Sequence, residues 1–341
     1  MKAVRIEKFG GPEVLAYGDL PDPKPGEGEV LVRVRACALN HLDIWVREGI
    51  PAYKIRLPHV LGNDIAGEVA ALGPGVSGAL LGAKVVVSPG RSCWRCARCL
   101  AGEDNLCERY GILGANGGWG GYAELAAVPA TNLIPMPAGL DFDAAASFPL
   151  AFLTAWHMLM TLARLGPGQR VLVVGAGSGV GVAAIQIARL AGATVIAAST
   201  SEGKLASAKA LGADDGLLMD ASWERKLRAL APEGLDVVFE HVGKGVFSEA
   251  LKALRPGGTL VTCGATAGHD PELDLRYVFS RELRIVGARM GTLAELRRVA
   301  ALFGQGRLKP VVDRAFPLAE ARAAQEHLAA RRQFGKVLLR P

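Results

Sequence analysis

Residues 29–36 alternate, with Val30, Val32 and Val34 toward one side and Arg33 and Arg35 toward the other, the two-residue period of a strand with one wet face. Further short strands are predicted at 65–69 and 84–87, with Gly73-Pro74-Gly75 and residues 21–28 as turns. Past about residue 150 the pattern changes. Residues 170–174, 194–198, 235–239, 259–263 and 283–286 are short apolar runs separated by segments of helical period. Strands apolar on both faces and alternating with helices predict a parallel sheet covered on both sides. Helices are expected over 292–303 and 319–330, with a closing strand at 336–339.

Residues 144–163 are nearly all apolar and long enough to cross a bilayer, which takes about 20 residues. Pro149 breaks the run, and Thr154 and His157 would fall in its middle, so a strand or turn followed by a buried helix is expected instead. The opening Met1-Lys2-Ala3-Val4-Arg5 lacks the apolar core of a signal peptide. These readings point to a cytoplasmic protein with no membrane partner.

The chain has 341 residues, half of them hydrophobic and 21% charged, which suits a globular protein of two domains. The net charge of +6 comes from scattered Arg and Lys with no long basic tract. A solvated surface fits this better than a nucleic-acid face, and a phosphate-rich cofactor fits it equally well.

The run 170–174 leads into Gly175-Ala176-Gly177-Ser178-Gly179-Val180-Gly181 and then a helical pattern to Leu190. Glycines between a strand and a helix let the backbone approach a pyrophosphate, which the helix N-terminus then receives with N–H donors and a positive dipole end. Gly175, Gly177, Ser178, Gly179, Val180 and Gly181 are therefore candidate cofactor-binding residues of a Rossmann-type domain. The turn is one residue longer than strict GxGxxG, because the sixth position is Val180. An NAD-binding domain usually ends its second strand with a carboxylate for the ribose 2′-hydroxyl. Here that strand ends Ala198-Ser199-Thr200-Ser201, with Lys204 close behind. Hydroxyls and a cation suit a 2′-phosphate, so NADP(H) is favoured over NAD, through Ser199, Ser201 and Lys204. Lys204 alone would read as a surface lysine. Glu202 is expected to cap the following helix.

Cys93, Cys96, Cys99 and Cys107 form a C-x2-C-x2-C-x7-C arrangement within fifteen residues. Four thiolates so spaced can close a tetrahedron around one Zn2+ per chain. An iron–sulfur cluster is the rival, without its usual spacing or following proline. With every position filled by sulfur, such a zinc holds a loop and does no chemistry. Cys37 and Cys263 stand apart and read as core residues.

Several segments together carry a resemblance. They are Ala36-Cys37-Ala38-Leu39-Asn40-His41-Leu42-Asp43, Leu61-Gly62-Asn63-Asp64-Ile65-Ala66-Gly67-Glu68-Val69, Gly82-Ala83-Lys84-Val85, the four-cysteine lobe, Gly120-Gly121-Tyr122-Ala123-Glu124, the glycine turn and Gly335-Lys336-Val337. Over essentially its whole length the chain resembles the medium-chain dehydrogenase/reductase superfamily, which includes zinc alcohol dehydrogenases and quinone oxidoreductases. The resemblance implies an α/β fold: a Rossmann doubly wound parallel-sheet domain plus a mainly-β GroES-like catalytic domain. It implies a GroES-like domain at 1–135 carrying the zinc lobe, an NADP-binding domain at 136–290, and a C-terminal segment at 291–341 that returns to the first. It also implies cofactor contacts from His41 and Lys336, and a homodimer or homotetramer joined through the last strand of the nucleotide domain, at 283–290.

The departures from that family are informative. A member with catalytic zinc has Cys where this chain has Asn40, His where it has Asn63 and Cys where it has Leu150. The acid after the His persists as Asp64, and the hydroxyl residue that relays protons is replaced by Leu42. A leucine cannot ligate a metal, and neutral amides are poor substitutes for thiolate and imidazole. The long glycine turn and Asn40 are similar to the quinone-oxidoreductase branch, and the cysteine lobe to the alcohol-dehydrogenase branch.

The reading that follows is an NADP(H)-dependent hydride transfer to a small molecule, a quinone, enone or other activated carbonyl, without a catalytic metal. Asn40, Tyr53 and Asn63 are the expected hydrogen-bond donors to the substrate. For Tyr53 a loop aromatic, and for Asn63 a turn role, are the competing readings. Two alternatives stay open: a zinc-type alcohol or aldehyde dehydrogenase with an unorthodox site from His41, His59, Asp43 or Asp64, and a non-catalytic NADPH- or nucleic-acid-binding protein.

Overall fold

The computed structural model describes residues 1–51 and 53–341. The chain divides into two compact units, Met1–Leu150 with Thr292–Pro341, and Ala151–Gly291.

The first unit is built on a seven-stranded sheet. Its order runs Leu133–Pro135, Lys84–Val87, Asp64–Leu72, Glu29–Ala38, Lys336–Arg340, Val312–Pro317, and Leu125–Pro129 also pairs with the central Glu29–Ala38. Val30, Val32 and Val34 of that central strand are buried while Arg33 and Arg35 face solvent, as the alternation requires. A three-stranded sheet (Ala16–Asp19, Lys2–Ile6, His59–Val60) and a two-stranded one (Gly90–Arg91 with Gly111–Ile112) complete it. The closing strand Lys336–Arg340 pairs antiparallel with Glu29–Ala38, Leu338 opposite Ala38 and Leu339 opposite Cys37. The C-terminal segment thus returns to the first unit, and it brings Lys336 beside the end of the strand that leads to Asn40.

This unit runs on to Leu150, beyond the boundary expected at 135. The reason is packing: Phe148 stacks on Phe303 with ring centroids 4.5 Å apart. Phe303 belongs to the helix Leu293–Gly304, which opens on a capping box in which Thr292 Oγ1 accepts from Glu295 N–H and Glu295 accepts from Thr292 N–H.

The second unit holds one all-parallel sheet of six strands. Its order is Asp215–Leu218, Thr194–Ser199, Arg170–Val174, Leu235–Glu240, Leu254–Thr262, Arg284–Gly287. Numbered within the unit this is 3-2-1-4-5-6, the doubly wound dinucleotide-binding order, with its switch point between Arg170–Val174 and Leu235–Glu240. Leu172, Val174, Ile196, Val238 and Leu260 form the core under the sheet. The strand Asp215–Leu218 escapes sequence reasoning because an edge strand of four residues starting Asp-Gly carries too little apolar pattern.

The apolar stretch at 144–163 forms helices and no strand. The helix Phe142–Ala146 is followed by Pro149–Trp156, which passes into a π-helical turn, His157–Leu162. Pro149 stands at the first helical position, where its missing N–H costs nothing. No helix is long and apolar enough to cross a membrane among the described residues.

Candidate active site and cofactor turn

Asn40, Asp64 and Lys336 come from three separate strand ends and meet in the interior of the first unit. Asn40 Nδ2 donates to Asp64 Oδ2 at 2.9 Å, and Lys336 Nζ donates to both Asn40 Oδ1 (2.6 Å) and Asp64 Oδ2 (3.0 Å). The other carboxylate oxygen, Oδ1, accepts the Leu150 N–H at 2.7 Å. Asp64 is fully buried and Lys336 is 3% exposed, whereas Asn40 keeps 8%. Asn40 is thus the least deeply buried of the trio.

Behind it lies Asp43, on the helix His41–Glu48 that Asn40 precedes. Asp43 Oδ2 accepts the Asn40 backbone N–H (2.8 Å) and the Tyr122 hydroxyl (3.2 Å), and Oδ1 accepts the Gly62 N–H (3.1 Å). One carboxyl thereby ties together the two loops that carry Asn40 and Asn63-Asp64. Gly62 sits at φ +100°, and a Cβ there would fall 2.5 Å from Tyr122 and 2.7 Å from Cys37 Sγ, so only glycine fits. Burial pushes the Asp43 carboxyl up to about 7, against the opposing pull of the Asn40 N–H, Lys336 and the Gly62 N–H. From sequence Asp43 stood only as a possible metal ligand, and Tyr122 had no assigned role. The signal for Asp43 was present, as an acid three residues after an N-cap Asn.

The other expected donors stand differently. Asn63 is fully buried, its Nδ2 donates one hydrogen bond to the Leu113 carbonyl, and its Oδ1 is an acceptor with no hydrogen-bond partner. Tyr53 is half-buried in the loop after His41–Glu48, and among the described residues no hydrogen bond links it to Asn40, Asp64 or Lys336. His41 begins that helix, edge-on to Trp45 at 5.2 Å, with its pKa lowered by burial and then by Arg331. Lys336, expected at the cofactor, is turned inward, because the buried charge of Asp64 demands a counter-ion.

Among the described residues, His41, His59, Asp43 and Asp64 do not bring three ligand atoms together. Among the described residues the only group of three or more such ligand atoms drawn together is Cys93, Cys96, Cys99 and Cys107. Their four sulfurs lie within 4.8 Å of one another, with Cys93–Cys99 at 4.0 Å and Cys96–Cys107 at 3.9 Å. A zinc tetrahedron with bonds of about 2.3 Å has edges of about 3.8 Å, so the cluster fits that ion. The Arg109 and Cys93 N–H groups both donate to Cys107 Sγ, at 3.3 Å each.

In the second unit, Ser178 caps the helix Gly179–Leu190, its Oγ accepting from Gly181 N–H at 2.9 Å. A Cβ on Gly181 would lie 2.4 Å from the Gly175 carbonyl, so the helix start packs directly on the turn. Ser178 Oγ also pairs with His241 Nε2 at 3.1 Å. At the end of the neighbouring strand Thr194–Ser199, Ser199 Oγ accepts from Ser201 N–H (3.2 Å) and no carboxylate follows until Glu202. The cap of the next helix is Ser201, whose Oγ accepts the Lys204 N–H, and Glu202, expected as the cap, occupies the first helical turn instead. A short hydroxyl reaches its own helix N–H groups more readily than an exposed glutamate already inside the helix.

Residues 26–138 match the family described as alcohol dehydrogenase GroES-like domain, and residues 179–305 match zinc-binding dehydrogenase. A crystal structure of an NAD-dependent alcohol dehydrogenase is similar at a TM-score of 0.96 and 49% identity, with 100% of both chains covered. The acryloyl-coenzyme A reductase of Metallosphaera sedula is 30% identical over 99% of each chain. The quinone oxidoreductase of Rattus norvegicus is also 30% identical, over 99% of this chain and 97% of its own.

Proposed function

The chain belongs to the medium-chain dehydrogenase/reductase superfamily, and on that footing we propose that it is an NADP(H)-dependent oxidoreductase that reduces a quinone, an enone or another activated carbonyl without a catalytic metal. The observation that carries this reading is the Asn40–Asp64–Lys336 cluster. Of the positions where zinc-dependent members have Cys, His and Cys, the first is an amide held at both its polar atoms. The second is a fully buried amide that donates to the Leu113 carbonyl, and the third is a leucine. Such a donor set offers neither thiolate nor imidazole.

The reduced nicotinamide, when bound, supplies the hydride. The chain must then stabilise negative charge on the substrate oxygen. Asn40 Nδ2 carries two protons, and only one is given to Asp64. Lys336 donating to Oδ1 draws density out of the amide and strengthens the second N–H as a donor. One such donor contributes roughly 10²–10³ in rate. That is less than a metal supplies, and it suffices more readily where conjugation spreads the charge. The names of the relatives are consistent with this: a quinone and an acryloyl thioester are both conjugated acceptors.

Ser199, Ser201 and Lys204 would receive the 2′-phosphate of NADP, with Gly175, Gly177, Ser178, Gly179, Val180 and Gly181 at the pyrophosphate. Cys93, Cys96, Cys99 and Cys107 would hold one structural zinc. His41 and Tyr53 would complete the cofactor and substrate contacts. The assembly would be a homodimer or homotetramer.

The test is steady-state reduction of a benzoquinone, a cyclohexenone and an acryloyl thioester by NADPH and by NADH, together with metal counting. We expect turnover with at least one acceptor, a lower KM for NADPH than for NADH, and one zinc per chain. A second metal whose removal abolishes activity would overturn the proposal. It would favour the alternative, a zinc-type alcohol dehydrogenase, which the 49% identical structure keeps in view.

A further inference from the structure

His241 follows the strand Leu235–Glu240, which lies next to Arg170–Val174 in the sheet, Phe239 opposite Val173. These two strands flank the switch point, and the crevice beyond their carboxyl ends is where a doubly wound sheet takes its ligand. The imidazole therefore stands across from the glycine turn. Gly175 lies at φ +67°, and a Cβ on it would fall 2.8 Å from His241 Nε2 and 2.9 Å from Cε1. The ring occupies the space that the missing side chain leaves. From there Nε2 reaches Ser178 Oγ at 3.1 Å, the same oxygen that accepts the Gly181 N–H.

We propose that His241 is a positioning residue for dinucleotide binding: it fixes the Ser178 hydroxyl and, with it, the first turn of the helix that receives the pyrophosphate. The Ser178 oxygen accepts from Gly181, so its own proton is directed to Nε2 in the tautomer that carries hydrogen on Nδ1. With Ser178 anchored from both sides, the N–H groups at the helix start are held in one orientation before the anion arrives. Pre-ordering of this kind acts on affinity, because the ordering cost is met before binding. His241 is 9% exposed and packs edge-on to Phe239 at 6.1 Å, which holds the ring in place. The inference rests on the cofactor reading given above and adds to it a residue outside the glycine turn.

The experiment measures NADPH and NADH binding by fluorescence, and KM against kcat, for His241→Phe, His241→Gln, Ser178→Ala and the His241→Phe/Ser178→Ala double variant. Phenylalanine keeps a ring over Gly175 and removes the hydrogen bond, so the fold is retained. Glutamine restores a hydrogen-bond acceptor, its amide oxygen, near the Nε2 position. We expect His241→Phe to weaken NADPH binding about five- to tenfold, the effect of one lost hydrogen bond, with kcat changed less than threefold. His241→Gln should recover most of the affinity. The double variant should be no weaker than the weaker single variant, since both changes break one contact. Unchanged affinity in His241→Phe, or losses that add, would overturn the inference while leaving the cofactor reading intact. Absence of NADPH and NADH binding by the wild-type chain would overturn both.

Discussion

At the residue scale the site is governed by a charge with no water around it. Asp64 is fully buried, and Lys336 answers it at 3.0 Å. Removing one partner of a buried pair leaves the other uncompensated, at a cost of about 3–5 kcal/mol. Lys336→Met should therefore lower stability by roughly that amount in urea melts, and adding Asp64→Asn should return a large part of it. Equal melts for wild type and Lys336→Met would mean that solvent reaches Asp64 after all. Asp43 gives a second, pH-dependent prediction. Its folded value of about 7 lies above the ordinary 3.8, so the folded state holds the proton more tightly than the unfolded one. This group's contribution therefore diminishes as pH rises from about 4 to about 7 and is constant above, with an upper bound of roughly 4 kcal/mol. His41 and His59, both lowered by burial, act in the opposite direction as pH falls. The difference between wild type and Asp43→Asn isolates the carboxyl: the variant's melting temperature should fall less between pH 5 and 8. Parallel curves would show that Asp43 is ionised throughout that range.

At the element scale, what could be read from the sequence follows from how local each signal is. Four cysteines within fifteen residues announced a cluster able to hold a metal ion, because all four sulfurs come from one short segment. The strand, glycine turn and helix from Arg170 to Leu190 were equally local, and their bounds match within a residue. The partners of Asn40 were not legible. Lys336 lies 296 residues away in the chain, and only the pairing of Lys336–Arg340 with Glu29–Ala38 brings it near. His241 was missed for the same reason, since it meets Ser178 across 63 residues through strand adjacency. The strand Asp215–Leu218 failed on pattern, with too few apolar residues to register. The cysteine lobe also separates structure from chemistry. Cys96→Ser removes one thiolate from the tetrahedron and should lower the melting temperature and zinc content sharply. The rate of the chemical step in the surviving folded protein should change little. Unaltered stability with lost turnover would instead put that metal in the reaction.

At the scale of the whole molecule, the six-stranded sheet ends in an exposed strand, Arg284–Gly287, paired on one side only. Edge strands of soluble proteins are usually guarded by charge, proline or a bulge. This one presents Ile285 at 38% exposure, and the helix before it, Leu275–Ser280, presents Leu275 at 65% and Phe279 at 71%. Apolar groups gathered beside an open edge mark a contact surface. A second copy can cover such an edge by isologous pairing about a two-fold axis, which satisfies the free N–H and C=O groups of both strands and buries both apolar sets at once. On the proposed dimer or tetramer, Ile285→Lys combined with Phe279→Asp should give smaller species than wild type in sedimentation velocity at micromolar concentration. Turnover per chain should persist, because neither residue belongs to the Asn40 cluster or to the glycine turn. A wild-type chain that sediments as a monomer at that concentration would show that the edge is left open, and that the exposed leucine and phenylalanine serve some other contact.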